Sequence, residues 1–113
     1  MSAADFTEAP SWGGRPIATR IADATPRQRV VVRGTVRGAS TIPVGSAIAY
    51  ACVLTDGTGE LQLLFLGRDR VPGLLPGASC TVEGTATMVG GTLAVWNPRY
   101  RFELAAPIRE EEP

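Results

Sequence analysis

Hydrophobic and polar residues alternate with period two over three separate stretches of this chain, the pattern of strands with one face buried. In residues 29–37, Val30, Val32, Gly34 and Val36 fall on one side, and Arg29, Arg33, Thr35 and Arg37 fall on the other. Residues 79–88 alternate in the same way, with Cys80, Val82, Gly84, Ala86 and Met88 opposite Ser79, Thr81, Glu83, Thr85 and Thr87. In residues 60–66, Leu61, Leu63 and Phe65 oppose Gln62, Leu64 and Leu66, so the second side is also largely apolar. Residues 47–55, with Tyr50, Cys52 and Val53, form a nearly continuous apolar run, which predicts a strand covered on much of both faces. A last strand is predicted over 92–104, interrupted at Asn97-Pro98 because proline has no N–H to give to a ladder.

Turn chemistry separates these strands. Residues 38–46 read as a loop, Asp56-Gly57-Thr58-Gly59 as a turn, and Gly90-Gly91 as a tight hairpin that needs positive φ. Residues 67–77 contain Pro72, Gly73, Pro76 and Gly77 and have room for at most a turn of helix. Ile17 and Ile21 stand at helical spacing before Pro26, which leaves the type of segment 17–27 open between strand and turn. Residues 1–16 lack periodicity and are expected to form a flexible arm with Trp12 as its anchor candidate. The expected organisation is that arm, a barrel over 17–104, and a tail over 105–113 carrying Glu110, Glu111 and Glu112.

Five strands with a short link from the third to the fourth are too few for an immunoglobulin-like sandwich and suit a small closed barrel. Gly34 and Gly84 sit mid-strand in similar settings, Val32-Arg33-Gly34-Thr35-Val36 and Val82-Glu83-Gly84-Thr85-Ala86. Each either lets a strand coil around a narrow barrel or avoids a packing clash.

Composition agrees with this picture. A chain of 113 residues forms one domain, and 44% hydrophobic residues with 13 Gly and 9 Pro describe a turn-rich all-β protein. No run of about 18 apolar residues is present, and the start lacks the basic-then-apolar order of a signal peptide, so a cytoplasmic location is expected. Cys52 and Cys80 fall in apolar strands and are expected as reduced core side chains, without the spacing of a zinc site. All 11 basic residues are arginines, as in GC-rich bacterial genomes, and arginine offers the planar stacking and forked hydrogen bonds that lysine lacks. The net charge of zero argues against a strong non-specific polyanion binder. The patterned region is mildly basic all the same.

Catalysis finds no support in the residues. The chain has no histidine, no nucleophile beside a base, no paired carboxylates outside the tail, and no phosphate-binding loop. A non-enzymatic protein without a cofactor is expected.

The segments 30–36, Leu54-Thr55-Asp56-Gly57-Thr58-Gly59, 61–65 and Val82-Glu83-Gly84-Thr85 resemble the OB-fold nucleic-acid-binding domains. The likeness is to the type found in anticodon-binding modules, replication protein A and helicase wedge domains. The whole chain also resembles the small stand-alone OB-fold proteins of actinobacteria. The resemblance implies an all-β, five-stranded OB-fold Greek-key barrel with little or no helix between strands three and four. It also implies a ligand lying across strands two and three, flanked by residues 38–46 and 89–92, although neither loop is basic or aromatic here.

The expected binding residues lie largely elsewhere. Trp96-Asn97-Pro98-Arg99-Tyr100-Arg101-Phe102 interleaves rings and guanidinium groups as a single-strand platform would, bases stacking on rings while arginines meet phosphates. The alternative for Trp96 and Tyr100 is core packing, since the proline break resets the phase of the strand. Arg33 and Arg37 share one polar strand face, and Arg68 and Arg70 flank Asp69. These four either line a groove or pair with Glu83 and Asp69 at the surface. Gln62 lies on a proposed binding strand, as does Tyr50, for which core packing is expected. The expected partner is single-stranded DNA or RNA, bound with low base specificity. The alternative is a protein partner or a second copy of the chain, met through the Leu64 and Leu66 face or the last strand.

Overall fold

The structure is a computed structural model that describes residues 18–103. The Trp12 arm, Leu104 and the acidic tail lie outside the described residues. Six strands follow one another: β1 (Arg29–Val44), β2 (Ala47–Thr55), β3 (Glu60–Leu66), β4 (Ser79–Val89), β5 (Thr92–Trp96) and β6 (Arg99–Phe102). The sheet order is β1-β2-β3-β5-β4-β6, and β4 pairs back onto β1, so the sheet closes on itself. β5 and β6 are the two halves of the expected fifth strand. Asn97, in the left-handed region at φ 49°, turns the chain between them.

Closure depends on strands that change partner along their length. β1 pairs with β4 from Arg29 to Thr35, then with β2 from Thr35 to Val44. Gly34 stands at this handover, where a Cβ would lie 2.5 Å from the Thr55 carbonyl oxygen. β4 makes the same change, pairing with β1 and β6 in its first half and with β5 from Ala86 onward. Gly84 sits just before that point, and a side chain there would run into the Val95 methyl. Both readings of these glycines therefore describe one fact, because a strand coiled this tightly brings another strand against its backbone.

The alternating apolar faces meet inside the barrel. Val30, Val32, Val36, Tyr50, Cys52, Leu54, Leu61, Leu63, Phe65, Cys80, Val82, Ala86 and Val95 form one buried cluster. Both cysteines are free and buried, as their strand positions predict. Of segment 17–27, residue 17 lies outside the described residues, and residues 18–27 contain a single 3-10 turn, Ile21–Asp23, which packs Ile21 against Gly59 in the β2–β3 turn. Residues 67–77 form turns without a helix, and Val71 and Leu74 drop from them into the core. The Tyr50 hydroxyl donates to the Leu74 carbonyl at 2.6 Å, so Tyr50 is a core residue with a satisfied polar tip.

Two expectations need correction. Residues 38–46 are strand rather than loop: β1 continues to Val44, turns at Gly45-Ser46, and returns as β2 with pairs from Val44↔Ala47 back to Gly38↔Val53. Gly45 at φ 59° supplies the left-handed conformation that the two-residue turn requires. Gly38 marks a bulge, where the register slips between Val36 and Gly38. Pro43 lies in a stretch paired on one side only, where a missing N–H costs no ladder bond. The other correction concerns Leu64, which is fully buried on the outside of the barrel. With Ala51 and Ala94 it forms a second cluster beneath Ile42, Val89 and Trp96. Of the two leucines on that face, only Leu66 is exposed, at 47%.

Candidate nucleic-acid interface

The outward side chains of β1, β4 and β6 form one face, and the register fixes their neighbours. Glu83 of β4 stands between Val31 on β1 and Arg99 on β6, and Thr81 stands between Arg33 on β1 and Arg101 on β6. Arg29 pairs in register with Thr85. Four arginines thus border a row that holds one carboxylate, Glu83. All four are solvent-exposed.

Glu83 is buried despite its charge, at 8% exposure. Its Oε2 accepts from Arg29 Nε at 3.1 Å, while Oε1 is buried without a hydrogen-bond partner among the described residues. The buried Thr81 hydroxyl donates to Glu103 Oε2, and the Glu103 N–H reaches the Ser79 carbonyl at 2.9 Å. These contacts hold the end of β6 against β4. Arg33, Arg99 and Arg101 have no ion-pair partner among the described residues. No carboxylate of the described residues occupies their guanidinium groups.

Trp96 joins this face to the one around the corner of the barrel. Its ring is half-buried and rests on the Ala51, Leu64 and Ala94 cluster. It also lines an open hollow of about 550 Å³ together with Arg29, Glu83, Thr85, Thr87, Asn97 and Arg99. The backbone beneath the ring is firmly held. The Asn97 N–H donates to the Leu64 carbonyl at 2.6 Å, and the Asn97 side-chain oxygen accepts from the Leu66 N–H at 3.0 Å. The proline break in the last strand therefore positions Trp96 beside the arginines.

The remaining expected residues divide. Arg37, at the β1 bulge, is engaged by Glu60 at 2.6 Å and stands apart from the hollow. Tyr100 faces inward, edge-on to Phe65 with ring centroids 5.8 Å apart, and packs on the core rather than offering a free ring. Gln62 is half-buried on β3, in register with Val53 and Ala94. Arg68 and Arg70 are exposed beyond the end of β3, and Arg70 borders a separate hollow with Val71, Pro72, Gly73 and Leu75. Asp69 pairs with neither arginine among the described residues. Spacing alone did not single out Arg29, Glu83, Thr85 and Thr87, although all four carry the polar parity of their strands.

Among the described residues, no other cluster supplies chemistry. Burial pushes the Cys52 thiol up to about 11 and the Cys80 thiol up to about 12, so neither is a thiolate at neutral pH. Among the described residues, no group of His, Cys, Asp or Glu is placed to hold a metal ion. No helix there is long and apolar enough to cross a membrane.

No protein-family model matches the sequence, and no curated protein matches it. The fold does have relatives among solved structures. The OB domain of Ta0387 from Thermoplasma acidophilum superposes with a TM-score of 0.63 at 15% identity, covering 79% of this chain and 89% of that one. A replication factor A related protein from Methanobacterium thermoautotrophicum gives 0.58 at 16% identity, over 77% of this chain and 91% of that one. The HINb domain of p204 gives 0.53 at 14% identity, over 77% of this chain and 47% of that one. Likeness at these identities is likeness of fold, and the chain has an OB fold.

Proposed function

We propose that the protein binds single-stranded DNA or RNA without catalysis, stacking a base on Trp96 while the arginines beside it meet the phosphates. The observation that carries this reading is the convergence of Trp96, Arg29 and Arg99 on one hollow, with Arg33 and Arg101 continuing along the same face. Base stacking on an aromatic ring is worth about 1–3 kcal/mol and accepts any base, so affinity arises without a large net charge. A structural neighbour described as replication factor A related is consistent with the reading. In this reading the bound strand runs along the β1–β4–β6 side. The face across β2 and β3 that the family resemblance implies is filled by Ala51, Leu64 and Ala94 under Ile42, Val89 and Trp96.

The test uses the Trp12→Phe protein, so that fluorescence reports Trp96 alone. Short single strands at low salt should quench it, and Trp96→Ala should weaken binding by about 1–3 kcal/mol. Arg33→Gln and Arg101→Gln should each lower the slope of log affinity against log salt by about 0.7. Absence of binding to both DNA and RNA single strands at low salt overturns the reading. A dimer that Leu66→Glu disrupts, in a protein indifferent to oligonucleotides, would establish self-association instead.

A further inference from the structure

The zero net charge of the chain is unevenly distributed. Residues 18–103 carry nine arginines against six carboxylates, whereas the tail over 105–113 carries Glu110, Glu111 and Glu112 against the single Arg109. The barrel is thus positive and the tail negative. On the β1–β4–β6 face, Arg33, Arg99 and Arg101 are exposed and take no carboxylate from the described residues.

The chain leaves the barrel on this same face. Glu103 follows β6 directly, its N–H donating to the Ser79 carbonyl at 2.9 Å and its carboxylate accepting from the Thr81 hydroxyl. Thr81 is the residue that stands in register between Arg33 and Arg101. Glu103 also lines an open hollow of about 480 Å³ with Arg33, Thr35 and Ser79. The first carboxylate beyond the last strand therefore already lies beside the arginines. Glu110 follows it by seven residues, a reach of up to about 25 Å for extended chain. The arginine row, measured on β4 from Thr81 to Thr85, is only about 13 Å long.

We propose that residues 110–112 of the tail dock on the Arg33, Arg99 and Arg101 face and compete there with an incoming polyanion. The docking stands on the exit point, the reach and the charge complementarity, and its role as a brake rests on the nucleic-acid reading above. Carboxylates meet guanidinium groups through the same forked hydrogen bonds as phosphates. Each such contact is weak at an exposed surface, but a short tether presents the glutamates at an effective concentration on the order of mM. Residues 105–113 include no aromatic ring to lay on Trp96. A single strand, which brings both phosphates and a stacking base, holds the advantage over the tail.

The test follows the tail directly. Cys52 and Cys80 are fully buried, so a thiol-reactive nitroxide takes Pro113→Cys alone and leaves every glutamate in place. At low salt it should broaden the amide signals of Arg33, Thr81, Arg99 and Arg101 and spare those of Gly45, Arg68 and Arg70. High salt should remove the effect. Uniform broadening, or broadening centred on Arg68 and Arg70, overturns the docking. So does broadening seen only on an unlabelled copy mixed with a labelled one, which would place the tail on a neighbouring molecule. In a Trp12→Phe background, replacing Glu110, Glu111 and Glu112 together by Gln should tighten binding of a thymidine hexamer about fivefold at low salt and leave it nearly unchanged at high salt. Unchanged affinity at low salt overturns the competition and leaves the nucleic-acid reading intact. Absence of hexamer binding in both proteins overturns the nucleic-acid reading, and with it the brake, while the nitroxide still reports the docking.

Discussion

Arg29 and Glu83 meet across the β1–β4 pair, with Arg29 Nε donating to Oε2 at 3.1 Å, and the two are unequally solvated. The arginine side chain is 58% exposed and the carboxylate 9%. The pair is therefore an exposed cation serving a buried anion. Removing the cation leaves the anion with no compensation on either oxygen.

Arg29→Ala should accordingly destabilise the protein by about 1–3 kcal/mol, below the full cost of breaking a buried pair because the arginine is half in water. Arg33→Ala, on the same face without an ion partner among the described residues, should stay within about 0.5 kcal/mol. Urea denaturation of the two variants measures the difference. Equal midpoints would mean that Glu83 finds other partners.

The handover glycines predict a contrast among three chemically identical substitutions. Gly34→Ala and Gly84→Ala each force a methyl into occupied space, against the Thr55 carbonyl and the Val95 side chain, and should cost about 1–3 kcal/mol. Gly38→Ala, at the β1 bulge, meets nothing within 4 Å and should be close to neutral. Thermal unfolding of the three proteins should separate the first two from the third.

Asp56 ties the 3-10 turn to the barrel and gives the fold a dependence on pH. Burial works to raise its carboxyl, but the Thr58 hydroxyl at 2.6 Å and the N–H groups of Ile21 and Thr58, each at 2.9 Å, outweigh burial and hold it below the ordinary value. A carboxyl depressed in the folded state adds stability that is present above its unfolded value of about 3.9 and is lost as pH falls through the folded value. Asp56→Asn should therefore cost about 1 kcal/mol at pH 7, the low end for a charged hydrogen bond because the site is partly exposed. The difference from wild type should shrink toward zero below about pH 4. Urea midpoints at pH 7 and pH 3 check both parts.

Much of this architecture was legible in the sequence because period-two alternation is a local property. Each of β1, β3 and β4 shows which side chains face the barrel interior without reference to any other strand, except at the far end of β4, where Met88 has the apolar parity and is 49% exposed. The glycine pair at the β4–β5 turn and the break at Asn97-Pro98 were readable for the same reason, since φ limits belong to single residues. Residues 38–46 were misread because Gly38, Pro43 and Gly45 signal a loop one by one. Together they make a bulge, an open edge and a two-residue turn within one long hairpin.

The site was less legible, because it depends on which strands become neighbours. The sequence by itself determined that arginines occupy the polar parity of the first strand and that Trp96, Arg99 and Arg101 cluster in the last. Only the tertiary structure decided that β4 lies between those strands, so that Arg29, Arg33, Arg99 and Arg101 share one face. Barrel closure likewise covered Leu64, turned Tyr100 into the core, and gave Arg37 to Glu60. Glu83, an ordinary polar position in an alternating strand, became a buried carboxylate with one unpartnered oxygen for the same physical reason. Burial and charge pairing are set by what packs across the sheet, and lateral pairing between distant segments leaves no periodic trace in either one.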